Sequence, residues 1–301
     1  MTTKKKKLDN SAIIELPRMK REEKALSTEA RLQKEAMHVL KLTSRTFYIP
    51  IKLLKPVLRR TVGAAYLCMR AIDEIEDHET LPIEIKSRLL RATGELLQAK
   101  SGFDREAYEA LLEPYQNDLP EVTLRLADWV EICPDEITPK VMESTSEMAG
   151  GMAKWVERDF EVTTKEELDE YTYYVAGLVG VMLSDIWNWY DGTETNYDLA
   201  VGYGRGLQAV NMLRNQDEDA ERGVRFLPDG WTRADMFDYA WDNLTKADEY
   251  IKDLHTKNII LFCKIPLALA KKTLSAMDAG KEKMTRVEVE STVEEILKET
   301  K

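Results

Sequence analysis

Two acidic clusters contain the residues of this 301-residue chain best suited to chemistry. The first lies in AAYLCMRAIDEIEDHETLP, where Asp73 and Asp77 are four residues apart and Arg70 precedes them by one turn. On a helix this spacing projects both carboxylates from one face, where like charges destabilise the helix slightly unless a cation binds them. The cluster is either a solvated helix face or half of a divalent-cation site.

The second cluster, NMLRNQDED, follows about 140 residues later. Asn211, Asn215 and Asp219 recur at spacings of four, with Arg214 beside them. Carboxylate and carbonyl oxygens are ligands that proteins offer to Mg²⁺, and substrate phosphates often complete the shell. Either cluster alone is best explained as a charged surface. Two clusters that each follow an apolar segment make a metal–diphosphate site an equal alternative.

The elements that position these clusters are predicted to be helices. From Thr28 onward, apolar residues recur at spacings of three and four, and alternating strand-like runs are absent. Pro50 and Pro56 are predicted to flank a short turn, while HETLP, EICPDEITP, DGTETNYD and RGVRFLPDGW interrupt the later helices. The pattern predicts one all-α domain of about ten helices over residues 31–301. Residues 1–30 form a basic, polar tail, either disordered or drawn to an anionic membrane by Lys4–Lys7.

Composition excludes several classes of function. The net charge of -11 argues against nucleic-acid binding, which requires a basic surface. The three cysteines form no CxxC pair, so we expect neither a disulfide framework nor a zinc site, and a reducing, cytoplasmic location is favoured. No secretory signal is apparent, and the longest apolar runs are shorter than the roughly 20 residues that span a bilayer. We therefore expect no transmembrane helix, with peripheral membrane contact as an alternative to a freely soluble protein.

Glycines gather in GYGRGLQAVN, before the second cluster, and in YYVAGLVGVML. The first is no P-loop, because no GK[ST] follows it. Gly177, Gly180, Gly202, Gly204 and Gly206 either allow helices to approach closely or leave room for a long apolar substrate.

Five segments in consistent order resemble the squalene/phytoene synthase family: SRTF, YLCMRAIDEIED, YTYYVAGLVG, LQAVNMLRNQDED and RGVRFLP. A sixth, FCKIPLALA, is similar to a late segment of squalene synthases. The resemblance covers about residues 30–275. It implies the all-helical isoprenoid synthase fold around a central apolar cavity, with Mg²⁺ held between two aspartate-rich motifs that face each other.

The resemblance also assigns roles to individual residues. It implies metal binding by Asp73, Asp77, Asn211, Asn215 and Asp219, and substrate binding by Ser44, Arg45, Phe47, Arg70, Gln208, Asn211 and Arg214. The implied catalytic residues are Asp73, Asp77, Tyr171 and Asp219. Asn215 departs from the family, which usually has aspartate there; an asparagine offers a carbonyl oxygen without the negative charge.

The family's activity implies Mg²⁺-dependent, head-to-head condensation of two prenyl diphosphates, here farnesyl diphosphate, through a cyclopropyl diphosphate. With NADPH the product would be squalene, and without it a dehydrosqualene or phytoene-type hydrocarbon. For the basic nicotinamide-binding stretch only Lys283 and Arg286 are candidates. One alternative is transfer of the prenyl group to another acceptor, or to water as a diphosphatase. A second is a non-catalytic, membrane-associated helical protein, and a monomer or a homodimer is compatible with either.

Overall fold

The computed structural model describes residues 28–221, 223–281 and 284–300, without the side chains of Thr28, Arg45, Glu218 and Asp219. The predicted all-α class is confirmed, and these residues form no β-strand. More helices occur than the predicted ten or so, because short ones such as Glu121–Leu124 have too few turns to show a period. The helices are α1 (Thr28–Thr43), α2 (Arg45–Leu53), α3 (Pro56–Glu76), α4 (Ile83–Leu97), α5 (Arg105–Leu112), α6 (Glu121–Leu124), α7 (Leu126–Ile132), α8 (Thr138–Glu157), α9 (Lys165–Thr172), α10 (Leu178–Asp191), α11 (Tyr197–Glu221), α12 (Arg233–Lys252), α13 (Lys257–Asp278) and α14 (Arg286–Glu299).

Most helix ends fall where the sequence predicts them. The helix that carries the first acidic cluster ends at Glu76, and the one that carries the second ends at Glu221. Local chemistry fixes these boundaries. At Gly192 the backbone adopts a φ of 76°, which ends α10, and Thr232 and Asp235 form a reciprocal capping box that starts α12. The predicted division at residue 30, between tail and domain, remains a prediction because residues 1–27 lie outside the described ranges.

The expectation of a turn between Pro50 and Pro56 is wrong. Pro50 lies inside α2, which continues to Leu53, so only Leu54 and Lys55 separate α2 from α3. A proline within a helix removes one backbone hydrogen bond. Burial offsets that loss here, since Ile51 and Leu54 are at most 1% exposed in the core.

Helix α3 is the central element of the fold. Thirteen of its residues are buried, and it packs against helices on several sides, among them α1, α4, α7 and α8. A second layer forms around α11, which packs along α12 and against α10. The two acidic clusters therefore lie near the C-terminal ends of two helices that the core holds firmly.

Glycines permit the closest helix approaches around α11. A Cβ atom on Gly204 would lie 2.2 Å from the carbonyl oxygen of Ala176, and one on Gly180 would lie 2.2 Å from that of Ala200. Ala176 belongs to a π-helical turn, Tyr173–Gly177, that joins α9 to α10. The glycines thus allow close helix crossings, one of the two interpretations that the sequence left open.

None of the helices in the described ranges is both long enough and apolar enough to cross a membrane.

The close crossing leads to a stability prediction. We expect Gly204→Ala to lower the free energy of unfolding by about 1–3 kcal/mol, because the methyl group would overlap a backbone carbonyl. Gly150→Ala is the matched control: this glycine also lies in a helix, but a Cβ there would meet no atom within 4 Å. The control should be neutral or stabilising by up to about 1 kcal/mol. Urea unfolding of both variants provides the measurement, and equal effects would contradict the packing argument.

Candidate active site

A cavity of about 230 Å³ opens between α2, α3, α8, α10, α11 and α13. Most of its wall is apolar, and both Gly180 and Gly204 contribute to it, so the glycines that allow close crossings also border the cavity. The apolar and aromatic lining consists of Phe47, Ile51, Val62, Tyr66, Met69, Met148, Val175, Ala176, Val179, Met182, Leu183, Tyr203, Leu207 and Phe262.

Polar side chains line the cavity at one end of two helices. Arg70 and Asp73 come from the last two turns of α3, and Gln208 and Asn211 come from α11. The sequence predicted all four as site residues, and the structure places them around one cavity. Val62 on α3 and Tyr203 on α11 line the same cavity at positions earlier along each helix. We call the part of the wall formed by Arg70, Asp73, Gln208 and Asn211 the polar end of the cavity, and the rest of the wall its apolar body.

Asp73 lies in an electrostatically unfavourable position. Burial, and then the nearby Asp77 carboxylate, raise the pKa of Asp73 to about 7, although Arg70 acts in the opposite direction. The negative end of the α3 dipole adds to the repulsion, since Asp73 lies in the last turn. A divalent cation at this position would stabilise the carboxylate that burial destabilises.

Arg70 is held between two carboxylates. Its guanidinium donates to Asp73, and its Nε donates to Glu74 Oε1 at 2.9 Å. These neighbours raise the pKa of Arg70 above its ordinary value, so it keeps its positive charge at the polar end of the cavity. A fixed cation of this kind suits an anionic substrate group.

Asp77 lies at the end of the first motif, outside the cavity wall. It is the C-cap residue of α3, is exposed, and its backbone N–H donates to the Asp73 carbonyl at 2.9 Å. Its carboxylate is close enough to raise the pKa of Asp73. The predicted spacing on one helix face is therefore retained although the helix has ended.

On α11, Asn215 contacts the arginine beside it. The Nε of Arg214 donates to Asn215 Oδ1 at 3.1 Å. Arg214 is exposed and does not line the cavity, whereas Asn211 does. Asp219, the last member of this stripe, has a side chain outside the described part of the structure. The amide oxygen of Asn215 thus accepts a hydrogen bond from the Arg214 guanidinium, whereas an aspartate at this position would form an ion pair with it.

The oxygen atoms that could bind a metal come from both helices. Among the residues that the structure describes, no group of three or more His, Cys, Asp and Glu side chains is arranged to hold a metal ion. The available donors are the carboxylates of Asp73 and Asp77 and the amides of Asn211 and Asn215. Such hard oxygen ligands suit Mg²⁺, which commonly takes one or two protein carboxylates plus substrate phosphates. This donor set, together with the destabilised Asp73, fits a site completed by a diphosphate.

An aromatic cluster forms part of the cavity wall. The rings of Phe47 and Tyr66 have centroids 5.9 Å apart, and that of Phe47 lies 6.4 Å from Phe262. All three residues line the cavity. The ring of Trp187, which is fully buried, lies edge-on to that of Phe262 with centroids 5.5 Å apart.

Ser44 and Arg45 begin α2. Ser44 is buried, and its hydroxyl caps the helix by accepting the backbone N–H of Phe47 at 3.0 Å. Ser44 does not line the cavity itself. It positions α2, and Phe47 of that helix lines the cavity. Arg45 starts the helix, and its side chain lies outside the described part, so its predicted role near the diphosphates stays a prediction.

Tyr171 is placed behind the cavity wall. Its ring stacks on that of Phe226 with centroids 4.8 Å apart and contacts Trp155 and Phe160 edge-on. The side chain is 5% exposed and is not among the residues that line the cavity. Its predicted role at the reacting centre therefore stays a prediction.

The sequence reasoning missed two acidic residues and most of the apolar wall. Glu74 orients Arg70. Glu76 is buried, and one of its carboxylate oxygens lacks a hydrogen-bond partner within the described ranges. Burial, and then the nearby Asp77 and Asp73 carboxylates, raise the pKa of Glu76. A signal for the wall did exist. Counting back from Asp73 by helical spacings gives Met69, Tyr66 and Val62, the stripe of α3 that lines the cavity.

Comparison with known proteins agrees with this fold. The sequence model described as squalene/phytoene synthase matches residues 40–236. The squalene synthase of Schizosaccharomyces pombe is 29% identical over 273 residues, covering 79% of this chain and 58% of that protein. The squalene synthase ERG9 of Gibberella zeae is 30% identical, covering 86% of this chain and 62% of that protein. The chain belongs to the squalene/phytoene synthase family, and it spans about three fifths of the length of these relatives.

Solved structures share the fold. The structure of TcSQS in complex with a ligand superposes with a TM-score of 0.71 at 24% identity, covering 88% of this chain and 86% of that one. A dehydrosqualene synthase in complex with a ligand superposes with a TM-score of 0.60 at 18% identity, covering 90% of this chain and 96% of that one. The predicted isoprenoid synthase fold is confirmed.

The placement of Tyr171 leads to a prediction that separates packing from chemistry. Tyr171→Phe keeps the ring stacked on Phe226 and removes only the hydroxyl. If that hydroxyl acts at the reacting centre, kcat should fall about 100-fold while the free energy of unfolding changes by less than about 1 kcal/mol. Tyr108→Phe is the control, since it removes a buried hydroxyl, bonded to the Thr123 carbonyl, away from the cavity. An unchanged kcat in both variants would leave Tyr171 with a packing role alone.

Proposed function

We propose that this protein is a Mg²⁺-dependent prenyltransferase that condenses two molecules of farnesyl diphosphate head to head into a C30 hydrocarbon. The observation that carries the proposal is the cavity itself, which joins an apolar body to a polar end built from Arg70, Asp73, Gln208 and Asn211. A prenyl diphosphate has the same division into an apolar chain and an anionic head. Membership of the squalene/phytoene synthase family supports this choice of reaction.

Arg70 binds the diphosphate in this proposal. Cleavage of the allylic C–O bond transfers negative charge to the leaving diphosphate, and a fixed cation beside it lowers the barrier. Arg70 suits this role because Asp73 and Glu74 hold its guanidinium at the polar end of the cavity. Gln208 and Asn211 contribute amide N–H donors from the facing helix.

The aromatic wall stabilises the carbocation that remains. Phe47, Tyr66 and Phe262 present rings to the cavity, and aromatic faces attract cations. The largely apolar lining also excludes water, which would otherwise capture the cation as an alcohol. The alkene of a second prenyl chain then attacks the cation, and loss of a proton closes the ring of the cyclopropyl diphosphate. Departure of the second diphosphate leaves a C30 cation, which gives a hydrocarbon by losing a proton or by accepting a hydride.

The part of α3 that lines the cavity is about as long as a farnesyl chain. Val62 and Asp73 both line it and are eleven residues apart on α3, which corresponds to about 16 Å at 1.5 Å per residue. That distance accommodates the extended twelve-carbon main chain of farnesyl. The sixteen-carbon main chain of geranylgeranyl would have to fold or displace the side chains around Val62.

Asp73, Asp77, Asn211, Asn215 and Asp219 are the residues that would hold Mg²⁺. Bound there, Mg²⁺ would neutralise the charge of the departing diphosphate. The protein's own contribution is the half-buried carboxylate of Asp73, whose charged form is destabilised by burial and by the Asp77 carboxylate, so that its pKa is raised. A non-catalytic scaffold would gain nothing from this repulsion, which argues against the alternative of a purely structural protein.

The two candidates for a nicotinamide site stay predictions. Arg286 begins α14 with a side chain 90% exposed and paired with Glu290, and it does not line the cavity. Lys283 lies outside the described ranges. The use of NADPH is left to the product analysis below, and the proposal stops at the C30 hydrocarbon.

Asn215 favours one alternative, in which the allylic cation forms but is captured by another acceptor or by water. Its amide oxygen already accepts from Arg214, so this position brings one charge fewer to the metal than the family's usual aspartate. Weaker binding at one metal would affect a second ionisation more than a first. The product would then be a prenylated acceptor or farnesol.

The proposal is tested by incubating the protein with farnesyl diphosphate and Mg²⁺, with and without NADPH, and analysing the extract by mass spectrometry. We expect a C30 hydrocarbon that requires Mg²⁺. Squalene formed only with NADPH would identify a reductive enzyme, whereas a C30 product unaffected by NADPH would identify a dehydrosqualene synthase. Farnesol alone, or no product, would contradict the head-to-head proposal.

Restoring the acid at position 215 tests the role of the second motif. We expect Asn215→Asp to lower the Mg²⁺ concentration for half-maximal turnover several-fold, because the carboxylate adds a charged oxygen ligand. Gln216→Glu is the matched control, since it adds the same charge one residue away, about 100° around α11. Equal Mg²⁺ dependence in both variants and the unmodified protein would mean that position 215 does not reach the metal.

A further inference from the structure

Large apolar side chains are exposed at both ends and in the middle of α2. Leu42 is 67% exposed just before the helix, Ile49 is 42% exposed within it, and Val57 is 48% exposed just after it. Single exposed apolar residues are ordinary on a soluble protein, but three within sixteen residues of chain indicate a surface that binds a partner. We call the exposed surface formed by Lys41, Leu42, Ile49, Lys52, Lys55 and Val57 the α2 face.

Chain geometry keeps these residues close together. Helix α2 has nine residues, so it is only about 13 Å long, and the other members of the α2 face lie within a few residues of its ends. Ile49 and Lys52 are three residues apart and therefore share one side of the helix. Phe47 and Ile51, on the other side, line the cavity. Within α2, the exposed side chains of Ile49 and Lys52 therefore lie on the side of the helix away from the cavity.

The charge of this segment is opposite to that of the whole chain. Residues 36–60 contain no Asp or Glu, while the protein as a whole carries a net charge of -11. Arg60 pairs with Glu29, but Lys41, Lys52 and Lys55 are exposed and form no ion pair with any described residue. The six cations of the segment are Lys41, Arg45, Lys52, Lys55, Arg59 and Arg60.

We propose that the α2 face docks onto an anionic lipid bilayer. Exposed apolar residues interspersed with unpaired lysines match an interface of acyl chains beneath anionic headgroups. The acidic remainder of the protein is repelled by such a surface, which fixes the orientation with α2 toward the lipid. The purpose of this docking rests on the proposed function. A C30 hydrocarbon is insoluble in water, and docking would place the cavity one helix away from an apolar phase.

Vesicle binding by the full chain, without substrate, tests the proposal. Vesicles of phosphatidylcholine alone are compared in a sedimentation assay with vesicles that also contain phosphatidylglycerol. We expect binding to the anionic vesicles only, weakened by added salt. Lys52→Glu with Lys55→Glu should reduce the partition coefficient about tenfold or more. Ile49→Ser should reduce it several-fold at both low and high salt, because this change removes apolar contact rather than charge.

The matched control reverses two exposed lysines elsewhere. Lys100→Glu with Lys298→Glu makes the same change in net charge and should alter the partition coefficient less than twofold. Equal loss in the control and α2-face variants would show a response to net charge alone and overturn the proposal. Binding lost only on replacing Lys4–Lys7 with Gln would also overturn it, because the N-terminal segment would then be the docking element. A third outcome would overturn the proposal as well: gel filtration detects a dimer, Lys52→Glu with Lys55→Glu dissociates it, and no form of the protein binds vesicles.

Turnover in detergent separates this proposal from the proposed function. None of the altered residues lines the cavity, so the variants should convert farnesyl diphosphate in detergent at the rate of the unmodified protein. Vesicle binding without turnover in any form would reject the enzymatic proposal and leave the docking surface. Turnover without selective vesicle binding would reject the docking surface and leave the enzymatic proposal.

Discussion

The rest of this structure depends on one unfavourable interaction, the repulsion between Asp73 and Asp77 at the negative end of α3. Burial and the neighbouring carboxylate raise the pKa of Asp73, and Arg70 offsets that effect only in part. A protein keeps such an arrangement stable by fixing it in a rigid support, and α3 is the most enclosed helix of the fold. In the proposed site a divalent cation would offset this repulsion and would also bind the diphosphate.

The apolar half of the cavity follows from how the second layer packs. Gly180 and Gly204 bring helix backbones within a distance that no side chain would allow, and the π-helical turn Tyr173–Gly177 presents Val175 and Ala176 in succession to the cavity. Gly204, Leu207, Gln208 and Asn211 recur at helical spacings along one side of α11, and all four line the cavity. Gly180 and Gly204 therefore allow close helix crossings and also border the cavity.

The features that could be predicted from the sequence are those that local chemistry determines. Helix ends at Glu76 and Glu221 follow from breakers, and Arg70, Asp73, Gln208 and Asn211 follow from spacing and family resemblance. The features that could not be predicted depend on tertiary contacts. Pro50 lies within a helix because buried neighbours offset its missing hydrogen bond. Ser44 caps α2 instead of lining the cavity, and Tyr171 stacks on Phe226, which is 55 residues later in the sequence. No local pattern encodes such a pairing.

The central claim is that residues of α3 and α11 bind a diphosphate together with Mg²⁺ at the polar end of an apolar cavity. The most direct measurement is calorimetric binding of farnesyl thiodiphosphate, an unreactive analogue, with Mg²⁺ and with EDTA. The account predicts at least about tenfold tighter binding with Mg²⁺, lost in Asp73→Asn and kept in Asp135→Asn, which makes the same change at an exposed residue outside the cavity wall. Binding that is independent of Mg²⁺, or that Asp73→Asn leaves unchanged, would contradict it.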